Sequence, residues 1–150
     1  MSLTIRAAQP SDQRALSALY RELNPADPLW PSDAAATEAL ANVLRHAGTT
    51  VLLAEVAGVS VSTCMLLVCP NFSRGGRPFA LIENVVTLRD YRRRGYGRSV
   101  VQHAIELARQ QGCYRVNLMT GSRREETLRF YEGAGLARGV KTAFEARFIG

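Results

Sequence analysis

Residues 92–99 bring glycine and cation together at a spacing suited to holding phosphate: Arg92, Arg93, Arg94, Gly95, Tyr96, Gly97, Arg98 and Ser99. Gly95 and Gly97 allow a tight turn with bare backbone N–H groups. The amphipathic pattern that starts near Tyr96 predicts a helix whose N-terminal end adds partial positive charge, and the flanking arginines add full charge. A diphosphate is the ligand that such a loop favours. Two other glycine motifs do not fit. Val100 stands where a dinucleotide fingerprint needs its third glycine, and no stretch reads G-x-x-x-x-G-K-[ST].

A second group of residues could move protons. Glu83 lies on an apolar run (79–88) just before the loop. On a regular pleat it shares a face with Leu81 and Val85, where partial desolvation would suit a general base. Its alternative role is to position substrate or pair with an arginine. Asn84 could orient a substrate through its amide, although on an unbulged strand it points the other way. Tyr131 carries a phenol that is protonated at neutral pH and could serve as a general acid, and plain core packing beside Phe130 and Leu128 is the competing reading.

The elements that must hold these groups follow from hydrophobic periodicity and turn signals. A strand is expected at 3–8, then a helix capped by Ser11 or Asp12 and running to about 24, ended by Pro25, Pro28 and Pro31. A second helix covers about 33–46. Residues 50–56 and 59–68 form a hairpin around Ala57 and Gly58, and 70–78 loop to the strand that bears Glu83. A helix at 96–111 has Val100, Val101, Ala104, Ile105 and Ala108 on one face and Gly112 past its end. A strand at 113–119, a helix at 125–133 and a closing strand at 140–149 complete the pattern. Paired strands followed by strands joined through helices imply an α/β (α+β) fold with a mixed sheet and helices on both faces.

The sequence has 150 residues, 47% apolar and 21% charged, enough for one core, so 1–150 reads as a single domain. No apolar run approaches the roughly eighteen residues of a membrane span, and no secretory leader is evident; a soluble cytoplasmic protein is expected. Cys64, Cys69 and Cys113 are widely spaced in apolar runs and read as reduced core thiols, with no metal site. A net charge of +6 and a pI near 9.8 would permit nucleic-acid binding. The cations cluster at 89–98 and 123–129, however, and one phosphate-bearing ligand accounts for both segments.

Arg92-x-x-Gly95-x-Gly97 resembles the [QR]-x-x-G-x-[GA] pyrophosphate loop of the GNAT superfamily of N-acetyltransferases. Residues 126–136, with Phe130, Tyr131, Gly135 and Leu136, resemble that family's A-x-x-[FL]-Y-x-x-x-G-[FL] helix and turn. The family's Asn and Ala in this helix are replaced by Arg124 and Thr127. Glu83-Asn84-Val85-Val86, the Arg-rich loop and Gly112-Cys113-Tyr114 look most like the glucosamine-phosphate N-acetyltransferases and their small-molecule relatives.

The resemblance implies a GNAT fold of about six to seven strands, with a parallel pair splayed apart to admit the pantetheine arm of acetyl-CoA. It implies a cofactor side formed by Val85, Val86, Thr87, Arg92, Arg93, Arg94, Gly95, Tyr96, Gly97, Arg98, Ser99 and Arg124. The acceptor would be a small primary amine met by Trp30, Glu83, Asn84 and Lys141, with Arg74 and Arg77 available to an anionic one; covering the end of the core is an equal reading of Trp30. Transfer would be direct, with Glu83 as base and Tyr131 as acid, in a homodimer that binds no nucleic acid. Acetylation of protein amines, and a non-catalytic acyl-CoA-binding module, are the other functions compatible with these residues.

Overall fold

A computed structural model describes residues 2–149. Its five strands and four helices run in the order β1 (Leu3–Ala7), α1 (Gln13–Leu23), α2 (Asp33–Arg45), β2 (Thr49–Val56), β3 (Val59–Cys69), β4 (Phe79–Thr87), α3 (Tyr96–Gln110), β5 (Val116–Leu118) and α4 (Glu125–Gly133). Sheet order is the same as chain order. The first four strands are antiparallel neighbours and β4 and β5 are parallel.

The sheet is covered on both faces, as its alternating pattern requires. On one side Leu16 and Leu19 of α1 meet Val51, Leu53 and Val86, flanked by Leu40 and Leu44 of α2. On the other, Val100, Val101, Ala104 and Ala108 of α3 meet Leu52, Ala54, Cys64, Leu66, Ala80 and Ile82. The apolar stripe read for 96–111 is therefore the contact that seats α3 over the centre of the sheet. Ser32 caps α2, its hydroxyl accepting from the Ala35 N–H at 3.1 Å. Asp12 does not cap α1: its carboxylate takes the Gln9 N–H and both terminal nitrogens of Arg6 instead.

Two features of the sheet position the site. The first is the splay. β5 pairs with β4 only over Ala80–Ile82, so β4 has no neighbour among the described residues on that edge from Glu83 onward. The second is a β-bulge. Met65 pairs with Glu83 and Thr63 with Val86, so three steps along β4 face two along β3. Asn84 absorbs the extra residue with φ +54, a left-handed conformation that asparagine tolerates better than most side chains. The bulge corrects the regular pleat expected from sequence. Glu83 does not share a face with Val85; Val85 packs toward α3, and Val86 toward α1.

The expected closing strand at 140–149 is absent, which leaves five strands among the described residues in place of six or seven. Residues 140–149 read as a strand because their apolar residues alternate, but all ten are exposed and pair with no strand among the described residues.

Candidate active site

α3 begins at Gly95, which adopts φ +86 and offers no side chain to cap the helix. The first N–H to find a helical acceptor is that of Ser99, to the Gly95 carbonyl at 2.9 Å. The N–H groups of Tyr96, Gly97 and Arg98 are thus left at the positive end of a fifteen-residue helix. They face a cavity of about 650 Å³ bounded by β4, the loop, α3 and α4.

Arg92, Arg93 and Arg98 from one basic segment and Arg124 and Arg129 from the other line this cavity, so the two clusters separated in sequence converge in space. Three of these guanidiniums have local partners: Arg92 with Glu22, Arg124 with Glu126, Arg129 with Glu125. Arg93 and Arg98 have no ion pair among the described residues, and they are the charges free for an anion. The Arg92 side chain is structural as well. Its Nε donates to the Thr87 carbonyl at 3.0 Å and its Nη2 to Glu22 at 3.1 Å, while Glu22 also accepts the Arg89 N–H at 3.2 Å. One arginine clips the loop to the end of β4 and to α1. Arg94 lies over the Tyr91 ring, 5.6 Å from its centre, and lines neither cavity; nor does Ser99.

Val85, Val86 and Thr87 line the same cavity, as does Tyr131. Tyr131 stands edge-on to Phe130 with ring centres 5.0 Å apart. Its phenol has no hydrogen-bond partner among the described residues. Burial raises its pKa above the ordinary phenol value, and the nearby Cys64 thiol and Glu83 carboxylate push it further in the same direction. It therefore stays protonated at neutral pH. Cys64 is fully buried against α3, its thiol pushed up to about 12, which makes it an inert core group.

Glu83 is exposed, so the partial desolvation expected from an apolar face is not realised. It lines neither cavity, although it is close enough to Tyr131 to act on its charge. Asn84 lines a second cavity of about 190 Å³ together with Trp30, Tyr20, Gln13, Ser17 and Met65. Trp30 and Asn84, more than fifty positions apart, are thereby brought together. Lys141 lines neither cavity and lies in the exposed segment, near enough to Tyr114 to help lower that phenol's pKa after Arg115 and Arg74. Arg74 stacks on Tyr114 in the same group.

Sequence reasoning missed Glu22, Tyr91, Thr127 and Phe130 on the first cavity and Tyr20 and Met65 on the second. Glu22 had no local signal, since its contacts with Arg89 and Arg92 span 67 and 70 positions.

The family model for the Acetyltransferase (GNAT) family matches residues 16–136, which contain the loop, the lining of the first cavity, that of the second apart from Gln13, and α4. This chain belongs to the GNAT acetyltransferase family. It is 34% identical over 137 residues to a glucosamine 6-phosphate N-acetyltransferase of Trypanosoma brucei brucei, covering 90% of this chain and 89% of that protein. A solved structure of a putative acetyltransferase from Agrobacterium tumefaciens str. C58 is 45% identical, with a TM-score of 0.90 over 97% of this chain and 99% of that one. The glucosamine-6-phosphate N-acetyltransferase of Arabidopsis thaliana shares the fold, with a TM-score of 0.85 over the whole of both chains at 21% identity. The GNAT chain is thus an acyltransferase with a mixed sheet opened between β4 and β5. No helix among the described residues is long and apolar enough to cross a membrane, and no group of three or more metal-binding side chains occurs there.

Proposed function

We propose that this GNAT protein transfers the acetyl group of acetyl-CoA directly to the primary amine of a small molecule. The observation that carries the reading is the open N-terminus of α3: unpartnered N–H groups and two unpaired arginines face one cavity, and Tyr131 stands on its wall. Those donors suit the diphosphate of coenzyme A. Val85, Val86 and Thr87 sit where β4 has no neighbour among the described residues on its β5 edge, so backbone groups on that edge are available to the pantetheine arm and to the oxyanion of the attacked thioester.

The chain's own groups then divide the proton traffic. Glu83 takes the proton of the attacking amine, directly or through water. The thiolate leaves as the C–S bond breaks and the C–N bond forms, and the Tyr131 phenol supplies its proton. The acceptor occupies the second cavity, against Trp30 and Asn84. A space of about 190 Å³ suits a small molecule better than a folded protein surface. The Trypanosoma relative's name makes an amino sugar phosphate the first acceptor to try. We place the protein in the cytoplasm, where acetyl-CoA is available and three unpaired thiols stay reduced.

The test is thiol release from acetyl-CoA with a panel of amino sugars, their phosphates, polyamines and lysine peptides. Amine-dependent release with one small-molecule class, and acetylation of its nitrogen by mass spectrometry, is the expected result. Tight acetyl-CoA binding with no release for any amine would make the protein a binding module.

A further inference from the structure

No charged side chain among the described residues lines the second cavity. Tyr20 and Trp30 supply two rings to its wall and Leu40, Val43 and Met65 supply aliphatic surface, while its polar groups, Gln13, Ser17 and Asn84, are all neutral. Arg74, Arg77 and Lys141, the cations that could have met an anionic acceptor, line neither cavity. Carboxylates already stand at the starts of the two helices behind this wall. Asp12, ahead of α1, is held by Arg6, and Asp33, the first residue of α2, pairs with Arg14 at 2.6 Å. A phosphate calls for arginine, lysine or an open helix end, and burying a dianion without one is strongly unfavourable. A cavity of about 150 Å³ accommodates benzene. The second cavity, at about 190 Å³, therefore has room for one ring with a short arm.

We propose that the acceptor is a small primary amine whose body is a single uncharged ring, an arylalkylamine, and not a phosphorylated amino sugar. This rests on the reading that the acceptor occupies the second cavity. The ring lies against Trp30, and the arm carries the nitrogen past Asn84. The bulge sets that direction: Asn84 lines the second cavity and Val85 the first, with Glu83 immediately before them. Met65, the register partner of Glu83, lines the second cavity too, so this wall runs up to the proposed base. The Asn84 amide oxygen accepts from the approaching amine. Glucosamine 6-phosphate, for which the Trypanosoma relative is named, would bring a dianion that nothing on this wall holds.

Phenethylamine and glucosamine 6-phosphate separate the two chemistries. At saturating acetyl-CoA, kcat/KM should be higher for phenethylamine by about tenfold or more. Val43 is 39% exposed on α2, so Val43→Lys adds a cation to the wall without filling the core, and it should turn that ratio toward the phosphate by about tenfold. Trp30 is the chain's one tryptophan, so its fluorescence reports a bound ring whether or not the amine is acetylated. Saturable quenching by phenethylamine, with no change on adding glucosamine 6-phosphate, is expected. Preferred turnover of glucosamine 6-phosphate would overturn the proposal and leave acetyl transfer standing. Quenching by phenethylamine with no thiol release from any amine would support the ring site and remove the transfer reading instead. Fluorescence unaltered by phenethylamine would overturn the ring site whatever the turnover.

Discussion

A β-carbon built on Gly97 would stand 2.8 Å from the Thr87 hydroxyl and 3.2 Å from the Phe130 ring. Gly97 is buried in the first turn of α3, where helix, β4 and α4 meet. Its missing side chain serves close packing within the protein, although the residue also lines the large cavity. Gly95 is different: nothing lies within 4 Å of its β-carbon, and its φ of +86 is what requires glycine.

The two glycines should therefore separate in their effects. Gly97→Ala should lower stability by about 1–3 kcal/mol through overpacking, seen as a lower denaturant midpoint. Gly95→Ala should cost about 1 kcal/mol of backbone strain and weaken acetyl-CoA binding about tenfold, by calorimetry, as the helix entry shifts. Equal stability losses with unchanged acetyl-CoA affinity for both would remove this loop from the cofactor site.

Glu83→Gln keeps the shape of the side chain and removes its basicity. Turnover should fall by roughly 10²-fold, acetyl-CoA affinity should change little, and the rise of rate with pH should flatten. A variant that keeps the parental rate and profile would assign proton removal to water.

Tyr131→Phe deletes a hydroxyl that no side chain among the described residues engages, so thermal stability should barely move. If the phenol protonates the departing thiolate, turnover should drop between about 10-fold and 10³-fold. The sign of the pH dependence follows from the direction of its shift. An acid with a raised pKa is lost only as pH climbs past that value, so no Tyr131-dependent fall in rate is expected until above the ordinary phenol range near 10. A parental turnover in Tyr131→Phe, with chemistry rate-limiting, would rule the phenol out.

Arg6 holds Asp12 and Glu55 together, with nitrogen–oxygen distances of 2.8 Å and 2.7 Å, and ties β1 to β2 and to the turn before α1. Hydrogen bonds from the guanidinium lower both carboxyl pKa values. Their contribution to stability is therefore complete above the unfolded-state values near 4 and is lost as pH falls through the lowered ones. Arg6→Leu should cost about 2 kcal/mol at pH 7 and less near pH 3, read from urea midpoints across that range. An undiminished cost at pH 3 would show that Arg6 acts by packing alone.

The sequence by itself determined where the helices lie, that one helix starts on a basic glycine loop, and that a carboxylate and a phenol flank it. These are local properties: an apolar stripe at helical period specifies α3, and the glycine–arginine spacing specifies the loop whatever surrounds it. Tertiary structure decided the rest. The bulge at Asn84 depends on how β3 registers against β4, so the loss of a shared face between Glu83 and Val85, and the meeting of Asn84 with Trp30, had no local signal. The hold of Glu22 on the loop and the contacts that forbid a side chain at Gly97 likewise join distant segments. At 140–149 the alternation predicted a closing strand, but periodicity carries no information about whether a partner edge is within reach, and all ten residues are exposed. Secondary structure follows from short-range sterics and pattern, whereas pairing, register and exposure depend on which distant residues arrive at the same place.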